Sequence, residues 1–391
     1  MKQAVILAAG EGQRLRPFTV NKPKAMILLA DKPLIGYVVD ALVASGIRDI
    51  VIVVGYHKET IMDYFGSGGS RNVTITYAVQ DKQLGTAHAL KQVADVAADE
   101  FIVLPGDNLI DEGTLAGILE APATVVLGKR VTEPSRYGVL IAANGKVEKI
   151  AEKPNDAPSH TVSTGIYKFS RDIFTRIGAD LDIPAVLNGM IRESIPVNLI
   201  ITEEAWQDIV YPWDILSLNQ YVLGRLLPST GGTIHQGVSV KGTVSVGAGS
   251  VIYPNTYIDG PVIVGRNCVI GPGAYICGAT SIGDNVVIKP FSEVNHCVVG
   301  ADCRLETGVI IQDSVIDNGC NIGARFVATS DVTVLQINGG HRQVDIGVMV
   351  GAGCRISSNV IAMPGTVIGN GCKIQPLKVI SGQLPDESLV Y

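Results

Sequence analysis

The chain has 391 residues, 17% of them charged, and a net charge of −6. That length suggests two or three domains, and the mild acidity argues against nucleic acid as a partner. No apolar run approaches the length of a membrane span, and the opening MKQAVILAAG is too short an apolar stretch for a secretory signal; no membrane partner and a cytoplasmic location are expected.

Residues 4–24 read AVILAAGEGQRLRPFTVNKPK. The apolar run to Ala9 reads as a buried parallel strand that breaks into Gly10-Glu11-Gly12. In open α/β sheets, ligands bind beyond such carboxyl ends. The glycines let backbone amides approach a ligand, and Arg14, Arg16, Lys22 and Lys24 add fixed cations, which together suit a polyphosphate. This is not the ATPase P-loop, since no Gly-Lys-Ser/Thr follows at the required spacing.

Downstream, helix patterns at 33–45 (ended by Gly46), 58–65 and 86–97 alternate with strand patterns at 50–54, 73–79 and 101–104. The alternation predicts a doubly wound α/β sheet. At one strand end stands Gln80, followed by Leu84-Gly85-Thr86-Ala87-His88, whose alternative reading is a capped helix start at Thr86. At another, Pro105-Gly106-Asp107-Asn108 offers a carboxylate suited to Mg²⁺, or simply an Asp turn. Four short segments follow: Tyr137-Gly138-Val139, Glu152-Lys153-Pro154, Ser163-Thr164-Gly165-Ile166-Tyr167 and Trp206-Gln207-Asp208. Pro212-Trp213-Asp214-Ile215-Leu216 then starts a helix running to about Leu227.

The string AAGxGxRLxPxT…KPK with these segments, in this order, resembles the signature of the sugar-1-phosphate nucleotidylyltransferases. The resemblance implies transfer of a nucleotidyl group from UTP or dTTP to a sugar 1-phosphate, with release of pyrophosphate. It implies nucleotide contacts from Ala9, Gly10 and Gly12, with Gln80, Gly85 and Thr86 reading a pyrimidine. It implies catalytic charge from Arg14 and Lys24, a Mg²⁺ held by Asp107 and Asp208, and a sugar phosphate seated by Gly138, Glu152, Lys153 and Thr164. One departure is Val210, where the family usually has glycine.

After residue 232 the pattern changes. Aliphatic residues recur every six positions from Ile234 through Val240, Val246 and Ile252 to Val294. A small or β-branched residue follows four positions after each, as at Cys268 and Ala274. Three such hexapeptides close one triangular coil of a parallel β-helix, with the aliphatic residue inside. The register slips at Val299 and near Ile310, and residues 327–345 break the repeat and are expected to loop out. None of the seven cysteines forms a CxxC pair, so neither zinc nor a disulfide framework is expected; most fall at the small interior position.

The predicted domains are 1–227, a nucleotidylyltransferase unit; 233–375, a left-handed β-helix; and 376–391, a tail forming a cap or an arm. This β-helix resembles the hexapeptide acyltransferases, and the domain order resembles the bifunctional uridylyltransferase/acetyltransferases and their archaeal relatives. The resemblance implies a homotrimer or a multiple of it, and acetyl-CoA as cofactor only if a second activity exists. Against that activity, the acetyltransferase His and Tyr positions carry Thr307 and Ile310, the Asn position carries Ser330, and the lysine-bearing segment reads Gln343-Val344-Asp345. His296 is the remaining candidate base. Three functions stay open: nucleotidyl transfer alone, a bifunctional enzyme that also acetylates an amino-sugar phosphate, and a non-catalytic regulatory subunit of an exchange-factor type.

Overall fold

The structure is a computed structural model that describes residues 3–337 and 340–391. It divides into two compact units. One runs through Glu11, then Asn21–Ile27 and Pro33–Asp208; the other takes in Gly12–Val20, Leu28–Lys32 and Ile209 onward. The predicted boundary at 227 therefore differs from the division in the structure, where the helix Asp214–Leu223 and two early loops belong to the second unit.

The first unit is built on a nine-stranded sheet. Its strands are β1 (Gln3–Leu7), β2 (Asp49–Val54), β3 (Thr74–Val79), β4 (Glu100–Pro105), β5 (Val125–Arg130), β6 (Gly138–Ala143), β7 (Lys146–Glu152), β8 (Thr161–Ser170) and β9 (Asn198–Thr202). The order is β3-β2-β1-β4-β8-β5-β9-β7-β6. β1 lies between β2 and β4, parallel to both, which is why its QAVIL run is almost wholly buried. Beyond β4 the sheet becomes largely antiparallel. Helix Leu34–Ala44 buries seven of its residues, as expected, and its chain reverses at left-handed Gly46. Two helices are shorter than predicted. Thr86–Lys91 gives way to tighter turns through Val96, and the helix after Trp213 ends at Leu223.

The second unit stacks three parallel sheets of nine, nine and eight strands, with one short strand per coil in each. The aliphatic positions read from the hexapeptides form a single continuous core from Val244 to Ile380. The register slips have a simple origin in coil length. Ile276 pairs with Val294, eighteen residues on; Val294 pairs with Ile311, only seventeen on. The corners at His296 and Asp313 are each one residue short and left-handed. The predicted excursion is a hairpin, Asp331–Ile337 with Gly340–Ile346, inserted between two coils, while Val327–Ala328 remains a coil strand. Residues 376–391 are no separate tail. They supply coil strands Val379–Ile380, Gln383–Leu384 and Leu389–Val390. No helix among the described residues is long and apolar enough to cross a membrane.

Candidate active site

Adjacent strand ends supply the first groups. Gly106 N donates to the Leu7 carbonyl, and Tyr56 N to that of Ala9, so the ends of β1, β2 and β4 are tied together. A Cβ added at Gly10 would meet nothing, so the backbone there faces open space. A Cβ at Gly106 would stand 3.0 Å from that of Ala8, so a larger residue would crowd the turn towards Asp107.

Asp107 and Asp208 are far apart in sequence, yet both meet Lys24. Lys24 Nζ lies 2.5 Å from Asp107 Oδ2 and 3.3 Å from Asp208 Oδ1. Asp208 is delivered by a two-stranded ribbon in which Trp206–Asp208 runs antiparallel to Asn108–Ile110, pairing Asp208 with Asn108. Burial works against the Lys24 charge, but the two carboxylates outweigh it and hold the ammonium above the usual lysine range. Two half-buried carboxylates converging on one cation also fit a hard divalent ion, with further ligands coming from substrate phosphates and water.

Asn108 and Trp206 carry the arrangement further, and sequence reasoning gave them no role. Asn108 Nδ2 donates to Asp208 Oδ1 at 3.4 Å. Trp206 Nε1 donates to Asn108 Oδ1 and to the Thr164 carbonyl, each at 3.2 Å. Its ring meets Tyr137 edge-on, 5.3 Å between centroids. Tyr137 leads into Gly138, which pairs with Glu152 across β6 and β7, and Lys153 N donates to the Tyr137 carbonyl. Lys153 Nζ stands 3.6 Å from Glu152 Oε1, both exposed. One connected chain of contacts thus joins the sugar-phosphate candidates to the carboxylate pair. The only available signal was the spacing of Trp206 and Asp208, two apart and so on one face of a strand.

Thr164 turns the other way. Its side chain is buried, and its hydroxyl donates to the Leu127 carbonyl at 2.7 Å, which leaves its backbone as the part nearest Trp206. The β8 ladder slips between Ser163 and Tyr167, the irregularity that frees that carbonyl. Burial pushes the Tyr167 hydroxyl up to about 12.

Gln80 is buried, and its amide nitrogen donates to the Gly85 carbonyl (3.1 Å) and to His88 Nδ1 (2.9 Å). A Gln NH₂ group can only donate, so His88 accepts at Nδ1 and carries its proton on Nε2. Gly85 has φ of 142°, and a Cβ there would strike the Leu181 carbonyl. Thr86 N bonds Asp182 Oδ1, while Thr86 Oγ1 accepts from Ile183 N. The two helix starts thus hold one another, while the cap position of the helix opening at Thr86 is Gly85, so Thr86 is not the cap of its own helix.

Gly12, left-handed at φ 77°, and exposed Arg14 lie in a loop that belongs to the second unit. Val210 keeps ordinary backbone geometry; the turn there is made by Asp214 Oδ2, which accepts from Val210 N and Tyr211 N.

A nucleotidyl transferase family model matches residues 3–223. The chain belongs to the nucleotidyl transferase family. A bacterial transferase hexapeptide model, of six repeats, matches residues 261–296. The bifunctional protein GlmU of Methanococcus maripaludis is 36% identical over 405 residues, covering 99% of this chain and 97% of that one. The UTP–glucose-1-phosphate uridylyltransferase AglF of Haloferax volcanii is 36% identical over 54% of this chain and 93% of its own. A solved Bacillus anthracis structure, described as a glucose-1-phosphate thymidylyltransferase bound to sucrose, superposes with a TM-score of 0.53 at 28% identity. It covers 59% of this chain and 98% of that one. Within this nucleotidyl transferase, the α/β unit and the hexapeptide β-helix both stand as the sequence led one to expect.

In the β-helix, His296 Nδ1 lies 2.5 Å from Asp313 Oδ1, and His296 Nε2 is buried with no hydrogen-bond partner. Burial works against the Asp313 charge, but hydrogen bonds from His296 and Ser330 hold its carboxyl below the usual aspartate range.

Proposed function

We propose that this chain joins a pyrimidine nucleoside triphosphate, UTP or dTTP, to a glucose- or N-acetylglucosamine-type sugar 1-phosphate, releasing pyrophosphate. The observation that carries the reading is the meeting of Asp107 and Asp208 on Lys24. The sugar-phosphate oxygen attacks the α-phosphorus in line, so the work is alignment and charge neutralisation. Asp107 and Asp208 would hold Mg²⁺, which when bound neutralises charge on the α-phosphate. Lys24 sits beside the reacting phosphates, and Arg14, by its place in the motif, stabilises the departing pyrophosphate. With both Gln80 hydrogens taken, its amide oxygen is the group left to accept the pyrimidine N–H. Ala9, Gly10 and Gly12 offer backbone to the phosphates. Gly85 and Thr86 act indirectly, by fixing the turn that follows Gln80. Gly138, Glu152 and Lys153 receive the sugar and its phosphate, with Thr164 contributing through its backbone. The four charged groups are all present, which weighs against a purely regulatory subunit.

The test is a matrix of four nucleoside triphosphates against several sugar 1-phosphates, with and without Mg²⁺, read as pyrophosphate release. Metal-dependent release with UTP or dTTP is expected. Activity far higher with GTP or ATP would sink the base reading.

The relatives named bifunctional raise acetyl transfer as a second reading. We infer that it is weak or absent here, because the one candidate base presents a buried Nε2 and the usual His, Tyr, Asn and Lys positions are replaced.

A further inference from the structure

The corner that follows one of the three β-helix sheets carries a repeating device. An Asp or Asn oxygen in one coil accepts the backbone N–H of the equivalent residue in the preceding coil: Asp284 from Arg266, Asn318 from Ala301, Asn370 from Ala352 and Asp386 from Asn370. Only an acceptor is needed for this, and Asp serves at two of the four rungs. At Asn370 the amide does more. Its Oδ1 is committed to Ala352 N at 2.8 Å, which fixes which end of the amide is nitrogen. The nitrogen donates to Asp386 Oδ1 at 3.0 Å and to the carbonyl of Pro17 at 3.1 Å. Pro17 lies 353 residues earlier, in the Gly12–Val20 loop. That loop is braced internally: Leu15 N and Thr19 Oγ1 both donate to the Gly12 carbonyl at 2.9 Å, and Leu15, Phe18 and Thr19 are buried. Holding Pro17 therefore constrains the backbone on both sides of Arg14.

We propose that Asn370 is a positioning residue for nucleotidyl transfer. From the last coils of the β-helix it clamps the loop that presents Gly12 and Arg14, with Asp386 holding its amide in place. This rests on the reading of that loop as the phosphate-binding segment.

The full chain tests it. Asn370→Ala should raise amide exchange across residues 12–20 with little change elsewhere. It should also lower kcat/KM for UTP or dTTP about tenfold, as a misplaced charge does. In an Arg14→Ala background the same substitution should cost almost nothing further, because both act through one group. Asp386→Ala, at an exposed site, should give the same exchange change in smaller measure, and it carries the test if Asn370→Ala does not fold. Unchanged exchange at 12–20 in the variants would overturn the proposal, as would an equal kinetic loss with and without Arg14. A wild-type chain lacking nucleotidyl transfer would sink the functional reading instead, and the exchange result would still judge the clamp.

Discussion

At the scale of single residues, the site is governed by how charge is balanced around Lys24. Asp107→Ala and Arg14→Ala should each lower turnover by about 10²-fold or more, the usual loss when a charge-stabilising group is removed. Near wild-type turnover in either would remove that residue from the mechanism. Lys24→Ala should behave differently when no substrate is present. The ammonium now answers both carboxylates, and without it they repel one another and attract a divalent cation. Mg²⁺ should therefore raise the melting temperature of Lys24→Ala more than that of the wild type; an equal shift would mean that Lys24 and the metal do not share these ligands. Gln80 and Asp107 stood out as polar groups at the ends of apolar runs, whereas Asp208 was singled out only by the resemblance of Trp206-Gln207-Asp208 to a family segment. Thr164 was legible as a motif but not in its direction. Nothing in the sequence says that its hydroxyl turns to Leu127.

At the scale of elements, the ribbon Asn108–Ile110 with Trp206–Asp208 and the β-helix corners make separate predictions. Trp206→Phe keeps an aromatic ring but removes the donor to Asn108 Oδ1 and the Thr164 carbonyl. Leaving buried acceptors unpaired should cost about 1–3 kcal/mol, readable by denaturant unfolding, with a raised KM for the sugar phosphate. In the β-helix, Cys303, Cys320, Cys354 and Cys372 occupy one interior column, and each thiol donates to a carbonyl of the next coil. Ser250 makes the same bond one coil before Cys268. Cys320→Ser should thus stay within about 1 kcal/mol of wild type, since a comparable hydrogen bond is kept. Cys320→Leu should lose about 1–3 kcal/mol by overpacking. Burial pushes the Cys268 and Cys297 thiols up. Because all seven cysteines are buried, a thiol reagent should leave them unlabelled until the chain unfolds.

At the scale of the whole molecule, a β-helix of this kind suggests assembly. Exposed Phe291 and Leu377 both stand at left-handed corners, where a large apolar side chain gains nothing from water. We propose a trimer or a multiple of it; a monomer by mass measurement at micromolar concentration would count against this. With acetyl-CoA and glucosamine 1-phosphate, free-thiol release should be negligible while nucleotide-sugar synthesis proceeds. Robust release abolished by His296→Ala would make the protein bifunctional.

Periodicity and strand-end chemistry by themselves determined the two architectures and marked the strand ends that carry glycines and polar groups, while the roles proposed for the charged groups rested on the family resemblance. The architectures and strand ends depend on neighbours within a few residues: an apolar run long enough to be buried, a glycine where the chain turns, an aliphatic residue every sixth position. The tertiary structure decided what depends on distant partners. It brought Asp208 to Asp107 through a ribbon whose strands are about a hundred residues apart in the chain. It placed residues 376–391 within the coil stack, because strand pairing and not repeat spelling defines a coil. And it set Asn370 against Pro17, a pairing between a side chain and a backbone carbonyl that leaves no mark in sequence, since every residue type carries that carbonyl.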